Sequence, residues 1–511
     1  MSKRTQLLFC FILLKLGIQY FLISPEYDLQ RDEYLHLDQA NHLAWGYLSV
    51  PPFTSWIAFI IKLLGNGTFW IKFFPALFGV LTMVVVWKAI EELGGNSYAL
   101  ILGAVSVMFS SLFRLNTLFQ PNSFDVLSWT SIYFFLIKYI NTKNARFLYA
   151  AAIVFALGFL NKYNIVFSLM GLFPAVMLTR QRQMLVQKEL YIAIIIAFIL
   201  VLPNLVWQYN NSFPVIHHMK ELADTQLVNV DRLGFLRSQL LFFGGSLVVI
   251  IMGLIALLMY QPFEKYKAFF WSIIFTLVVF IYFKAKDYYA IGLYPIYIAF
   301  GSVFLARQLE QGWRRYFKPV LIALPILFFL LIYQIAFPNR SPEYFVQHAD
   351  KFRDVGLLRW EDGKDHLLPQ DFADMLGWKE LAAKVDSVYS LLPNPDQTLI
   401  LCDNYGQAGA INYYSKNGKL VAHSFNADYL NWLNYDLLMN DVILVKEGDA
   451  DDKDRNIEKP LFDTVYLAAQ RINQYAREDS ISIYVLKGAK IDVAGRIRAE
   501  AEKTKNEWKT D

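Results

Sequence analysis

Apolar runs long enough to cross a bilayer of roughly 30 Å recur through the first two thirds of the chain. They start near Thr5, Thr68, Ser97, Phe124, Ala145, Asn164, Glu189, Arg237, Tyr266, Asp287 and Tyr316, which predicts about eleven transmembrane helices. From about Asn339 hydropathy drops and the pattern changes. Short β-like runs at Thr398–Cys402, Val442–Val445 and Ile481–Leu486 alternate with helical stretches such as 379–391. The pattern predicts an α-helical polytopic membrane protein with a C-terminal α/β domain. The expected division is a transmembrane domain over 1–338 and a second domain over 339–511, ending in a charged helical tail from Ile491.

Lysine and arginine placement orients the spans. Alternate connections carry Lys3-Arg4, Lys88, Lys138/Lys143/Arg146, Arg180/Arg182/Lys188, Lys265/Lys267 and Arg307/Arg314/Arg315/Lys318, and these belong on the cytoplasmic side. The loops holding Asp32-Glu33, Arg114 to Asp125, Asn161 to Tyr163, Gln208 to Ser238 and Lys284 to Tyr289 then face outward. An odd number of spans puts the C-terminal domain outside as well. The expected location is a bacterial inner membrane, with both faces of interest toward the periplasm.

The first outer loop, residues 25–67, carries the densest group of informative polar residues. Tyr34, Leu37, Ala40, Leu43 and Ala44 have helical spacing, which predicts a short helix lying along the membrane interface. Pro51-Pro52 ends it, and Phe53 to Leu64, at about 12 residues, is too short to span. A carboxylate pair, Asp32-Glu33, opens this loop directly after the first span. Carboxylates held at a membrane face point to chemistry there: a base that lifts a proton from a hydroxyl or amine. Arg114, Lys162, Lys284 and Lys286, with the hydroxyls of Tyr163, Tyr288 and Tyr289, lie on the same face and could take up charge on a lipid phosphate. Taken singly, such residues also serve as snorkelling cations, interfacial anchors or, for Asp125, a helix N-terminal charge.

Composition agrees with this picture. The 511 residues are 56% hydrophobic and 18% charged, and a net charge of +4 gives no reason to expect a nucleic-acid partner. Cys10 and Cys402 lie in regions too different to pair. Asp38 and His42 are four residues apart, with His36 nearby and His217-His218 in another loop, but no tight ligand motif forms and no metal site is predicted.

Five short motifs resemble, in order, those of the dolichyl-phosphate-mannose–protein mannosyltransferase superfamily, whose bacterial branch includes the lipid A aminoarabinose transferases. They are Asp32-Glu33 … Trp45-Gly46-Tyr47 … Pro51-Pro52, Gln120-Pro121-Asn122-Ser123-Phe124-Asp125, Gly158 … Lys162-Tyr163, Pro203 … Trp207 … Asn211, and Lys286-Asp287-Tyr288-Tyr289 … Tyr294-Pro295. The resemblance spans roughly residues 5–310. It implies a GT-C fold, an extracytoplasmic active site and a polyprenyl-phosphate-linked sugar donor. The acceptor would be a lipid, glycan or protein, reached by an inverting displacement, with membrane lipids as surroundings. By this similarity Asp32 is the base, Glu33 assists it and Asp125 lies near the active cavity. Lys162 and Tyr288 or Tyr289 contact the donor phosphate, and Tyr34, Arg114, Tyr163, Lys284 and Lys286 complete the candidate substrate-binding set. The cofactor is unassigned, a divalent metal ion being the candidate that some family members suggest. The chain departs from several bacterial members that carry Glu-Lys or Asp-His before the double proline; it has Ser49-Val50, which removes a cation or ligand there. Lys284 or Arg114 are the candidates to replace it. The alternative functions are a transporter or flippase of a lipid-linked precursor, and a non-catalytic sugar-binding subunit. Neither internal repeats nor paired Gly/Pro-broken helices are present to favour transport.

Overall fold

The computed structural model describes residues 2–435, 439–448 and 452–510. Every one of the eleven apolar runs overlaps a helix. Among the described residues, four helices are long and apolar enough to cross a membrane: Thr68–Glu92, Lys188–Asn210, Gln261–Tyr282 and Gly312–Ala336. Counting each of three sharply bent helix pairs as one span raises this to seven. The other four runs form Lys3–Phe21, Asn122–Thr142, and the shorter Ser97–Met108 and Arg146–Phe159. Lys3–Phe21 carries Lys15 and Gln19 inward, against Asn116 Oδ1 (3.2 Å) and the Phe113 carbonyl (3.0 Å). Asn122–Thr142 buries a row of hydroxyls, of which Ser128 and Thr130 bond back to the carbonyls four residues earlier. Phe53–Leu63 is 11 residues long and does not reach across a bilayer.

The C-terminal unit contains a five-stranded sheet of order β2-β1-β3-β5-β4. Its strands are β1 Thr398–Cys402, β2 Ala422–Ser424, β3 Asp441–Glu447, β4 Phe462–Ile472 and β5 Ser480–Ala489. β1 runs parallel to β2 and β3, with Thr398 opposite Asp441, and β5 is antiparallel to β3 and β4. β3 is a continuous apolar run because it lies in the middle of the sheet, covered on both faces. The helix Trp378–Ser390 packs on one side, and the tail forms the helix Val493–Thr510. The chain is thus a polytopic α-helical fold carrying a C-terminal α/β unit.

One packing feature was not expected. The helix Arg31–Gln39 is covered by the C-terminal unit. Tyr34, Leu35 and Leu37 share one apolar core with Trp378, Leu381, Ala408, Ile411, Tyr429, Ile443 and Ile483 of the C-terminal unit. The helix is buried on both faces because its polar side is also satisfied by partners. Gln39 Nε2 donates to Asp428 Oδ2 at 2.9 Å, and Asp38 accepts from Tyr429 and Asn412. It rests on the helix Tyr405–Tyr414 through two glycines. A Cβ added to Gly406 would lie 2.7 Å from Arg31 Cγ, and one on Gly409 would lie 2.7 Å from Tyr34 Cβ. The loop therefore packs as part of the C-terminal unit, across the domain division expected at residue 338.

Candidate active site

The helix Arg31–Gln39 opens with a capping box. Gln30 Oε1 accepts from the Asp32 amide at 2.8 Å, and Glu33 Oε2 accepts from the Gln30 amide at 2.8 Å. This fixes the two acids in different surroundings. Glu33 is fully buried, with Lys72 Nζ at 2.7 and 2.8 Å from its two oxygens and the Phe119 amide 2.6 Å from Oε1. A buried charge persists only with this kind of full pairing. These bonds, with the one from the Gln30 amide, take up its lone pairs. Asp32 is only partly buried. Its Oδ1 accepts from the Tyr405 hydroxyl at 2.7 Å and its Oδ2 from Gln120 Nε2 at 3.1 Å.

Gln120 begins a polar chain toward the helices. Its Oε1 accepts from Asn122 Nδ2 at 3.1 Å, and Asn122 Oδ1 accepts from Lys162 Nζ at 2.8 Å. Lys162 Nζ lies over the rings of Tyr289 (4.3 Å) and Tyr288 (4.9 Å). Asp125 is buried one helical turn on, accepting from Trp129 Nε1 and from Asn164 Nδ2, each at 3.0 Å; Asn164 also donates to the Tyr289 carbonyl. An unbroken hydrogen-bonded series, Tyr405–Asp32–Gln120–Asn122–Lys162, therefore joins the carboxylate to a lysine ringed by two tyrosines.

The remaining candidates divide. Lys286 pairs with Glu361, and Arg114 lies 3.5 Å from Asp371 and donates to Thr117, so both border the site through C-terminal partners. Tyr34 is fully buried among Trp378, Tyr413 and Tyr414. Tyr163 bonds to Asn204 and Gln208, not to the polar chain. Asn204 in turn donates to the Trp45 carbonyl at 2.7 Å, and Trp207 fills the space where Gly46 lacks a side chain. Those motif residues hold the loop against the helix Lys188–Asn210. Lys284 adopts a left-handed conformation (φ 51°) and makes no ion pair among the described residues. The histidines have partners elsewhere: His36 with Gln39, and His42 stacked on Trp432 at 4.3 Å. No group of three or more His, Cys, Asp or Glu is placed to hold a metal among the described residues.

Burial sets the protonation of the surrounding groups. It pushes the Asp374 carboxyl up to about 7, against the opposing pull of Arg477 and Arg31. Asp38 and Asp428 rise to about 6 by burial, although donors oppose it. Burial, opposed by Arg31 and reinforced by Asp32, drives the Tyr405 phenol well up, so it remains a donor to Asp32. Burial would raise Glu361, but the Lys286 ammonium, the Gln370 hydrogen bond and Arg477 together hold the carboxyl below its usual range.

Residues 49–207 match the family described as dolichyl-phosphate-mannose-protein mannosyltransferase. The lipid A galacturonosyltransferase RgtD of Rhizobium johnstonii is 25% identical over 226 residues, covering 42% of this chain. The chain spans about half (46%) of that relative's length. The solved structure of ArnT from Cupriavidus metallidurans in the apo state covers 97% of this chain, and 99% of its own is matched, at a TM-score of 0.61 and 12% identity. The same protein bound to undecaprenyl phosphate covers 94% of this chain and 98% of its own, at 0.60 and 12%. The fold is the ArnT fold. The resemblance to the mannosyltransferase superfamily stands on these matches, since the matched stretch contains Pro51-Pro52, Gln120 to Asp125, Gly158 to Tyr163 and Pro203 to Trp207. It begins after Asp32, whose setting is known from the geometry above.

Proposed function

We propose that this protein is an integral-membrane glycosyltransferase that moves a sugar from a polyprenyl-phosphate carrier to an acceptor at the extracytoplasmic face. The observation that carries the reading is the hydrogen-bonded series from Asp32 to Lys162, set in an ArnT-like fold. A transferase of this kind needs a base at the acceptor and a cation at the leaving phosphate, held a sugar's width apart. Asp32 and Lys162, linked through the side-chain amides of Gln120 and Asn122, would supply the two groups.

In the reaction, Asp32 takes the proton of an acceptor hydroxyl or amine as its oxygen or nitrogen bonds to the anomeric carbon. The bond from that carbon to the phosphate oxygen breaks on the opposite face, which inverts the configuration. The carrier leaves as polyprenyl phosphate, its charge taken up by the Lys162 ammonium, with Lys286 and Arg114 at the border. Asp125, near Lys162, balances the cation before the donor arrives. The relatives' names, a lipid A galacturonosyltransferase and ArnT with undecaprenyl phosphate, support a lipid-linked donor and a cell-envelope acceptor such as lipid A.

The test is release of free polyprenyl phosphate from a panel of carrier-linked sugars by purified protein in nanodiscs. Wild type is expected to release it, and Asp32→Asn to lose about 100-fold or more, as removal of a general base does. Full activity in a folded Asp32→Asn variant would move the base to another residue.

A further inference from the structure

On the water side of Asp32 lies a cavity of about 330 Å³, within the lower range for small-ligand sites. Its wall includes Arg31, Glu361, Glu447, Arg477 and Glu478, so it is shared between the first outer loop and the C-terminal unit. Two of these charges are already used. Glu361 is paired with Lys286, and Arg477 Nη1 is 3.1 Å from Asp374. Three are in no ion pair among the described residues. Glu447 and Glu478 are joined by Asn404, whose Nδ2 lies 2.8 Å from an oxygen of each; Gln407 donates to the second oxygen of Glu478 at 2.8 Å. Arg31 lies flat over the Tyr405 ring at 4.3 Å, and its Nε is buried with no acceptor among the described residues. A buried donor without an acceptor is rare in a folded protein and calls for an explanation.

We infer that this cavity is the subsite for a neutral, hydroxyl-rich saccharide of the acceptor, an inference that rests on the transferase reading. A phosphate or carboxylate would find one free guanidinium and meet the Glu447–Glu478 pair. An ammonium would satisfy that pair and leave Arg31 facing it. A sugar hydroxyl is both donor and acceptor. One hydroxyl can give its proton to Glu447 or Glu478 and accept from the cavity-lining guanidinium of Arg31, and a second hydroxyl can serve the other carboxylate. The position also suits an acceptor. Arg31 precedes Asp32 in the same helical turn, and the ring it covers carries the hydroxyl bonded to Asp32. A saccharide seated on Arg31 is therefore delivered beside the base from the side opposite Lys162.

The experiment is calorimetric titration of the full chain in nanodiscs with neutral oligosaccharides, their amino-sugar counterparts and their phosphorylated counterparts. At least one neutral member is expected to bind tenfold or more tightly than both its counterparts. Glu447→Gln and Arg31→Lys are each expected to weaken that binding at least fivefold. Should Arg31→Lys fail to unfold cooperatively, Glu447→Gln decides alone. Tighter binding of the phosphorylated or amino forms overturns the inference. So does an absence of neutral binding, or an affinity unchanged by the variants. Polyprenyl-phosphate release is followed in the same samples. Release without saccharide binding keeps the transferase and removes this subsite; saccharide binding without release keeps the subsite and removes the transferase.

Discussion

The site has a membrane side and a water side, and they are assembled over very different lengths of chain. On the membrane side Lys162 bonds to Asn122 and Asn164 to Asp125, partners 40 and 39 residues apart on neighbouring helices. On the water side Asp32 bonds to Tyr405 and Gln30 to Asp374, across 373 and 344 residues. Contacts between neighbouring helices cost little loop closure, whereas long-range pairing waits until distant elements dock. The Lys162 half, proposed to meet the phosphate, can thus form from the helices alone, while the orientation of Asp32, the proposed base, depends on the C-terminal unit. Glu33 and Lys72 join the halves, since their pair ties the helix carrying Asp32 to Thr68–Glu92.

Breaking that tie should have the largest effect. Lys72→Met leaves Glu33 as an unpaired carboxylate in a site with no solvent access, a change that costs about 3–5 kcal/mol. The expected result is a large drop in the unfolding midpoint of the purified protein, with loss of turnover. The double variant Lys72→Met/Glu33→Gln removes the buried charge and should regain much of that stability. Equal stability of the single variant and wild type would show that the pair does not hold the helix in place.

The same division explains what the sequence revealed. The helical fold was legible because apolar runs at spanning length leave few alternatives. Of the candidate site, Asp32, Asp125, Lys162, Tyr288 and Tyr289 were legible because they fall in the sequence motifs. The strands at Thr398–Cys402 and within Asp441–Glu447 were legible from their apolar, β-branched pattern. Tyr405, Glu361, Asp371 and Asp374 were not legible as site residues, because nothing in a single sequence pairs position 32 with position 405. That Arg31–Gln39 is covered by the C-terminal unit was not legible for a related reason. Helical spacing shows that a face is apolar, not what covers it, and here the cover is the C-terminal unit. Lys72 did leave a signal, a lysine inside an apolar run, which marks an intramembrane charge in need of a partner.

The next effect in size sharpens the dependence of the base on the distant domain. Tyr405→Phe keeps the ring under Arg31 and removes only the hydroxyl on Asp32. A hydrogen bond to a charged group contributes about 1.5–3 kcal/mol, so kcat/KM should fall about tenfold to 100-fold. Binding of polyprenyl phosphate, a membrane-side property, should change less than twofold. A loss of carrier affinity matching the loss of turnover would mean that the two halves are not separable in this way.

The smallest effect is a pH dependence on the water side. Asp374 is 3% exposed, and burial raises its carboxyl from 3.8 to about 7 in the folded protein. The native state therefore holds a proton that the unfolded chain has released, so its contribution to stability is complete below 3.8 and is lost as pH rises through about 7. Each unit of difference corresponds to about 1.4 kcal/mol at most, reduced where Arg477 and Arg31 compensate the ionised form. Asp374→Asn mimics the neutral carboxyl while keeping an oxygen for Arg477. Unfolding midpoints taken from about pH 5 to about pH 8 should fall less steeply for the variant than for wild type, and the two should lie closest at the acid end. Asp374 accepts from Gln30, which caps the helix bearing Asp32, so its titration acts on this side of the site and not on Lys162 or Asp125. Parallel pH slopes for the two proteins would place the titration elsewhere, with the buried Asp38 and Asp428, also raised to about 6, as the next groups to replace.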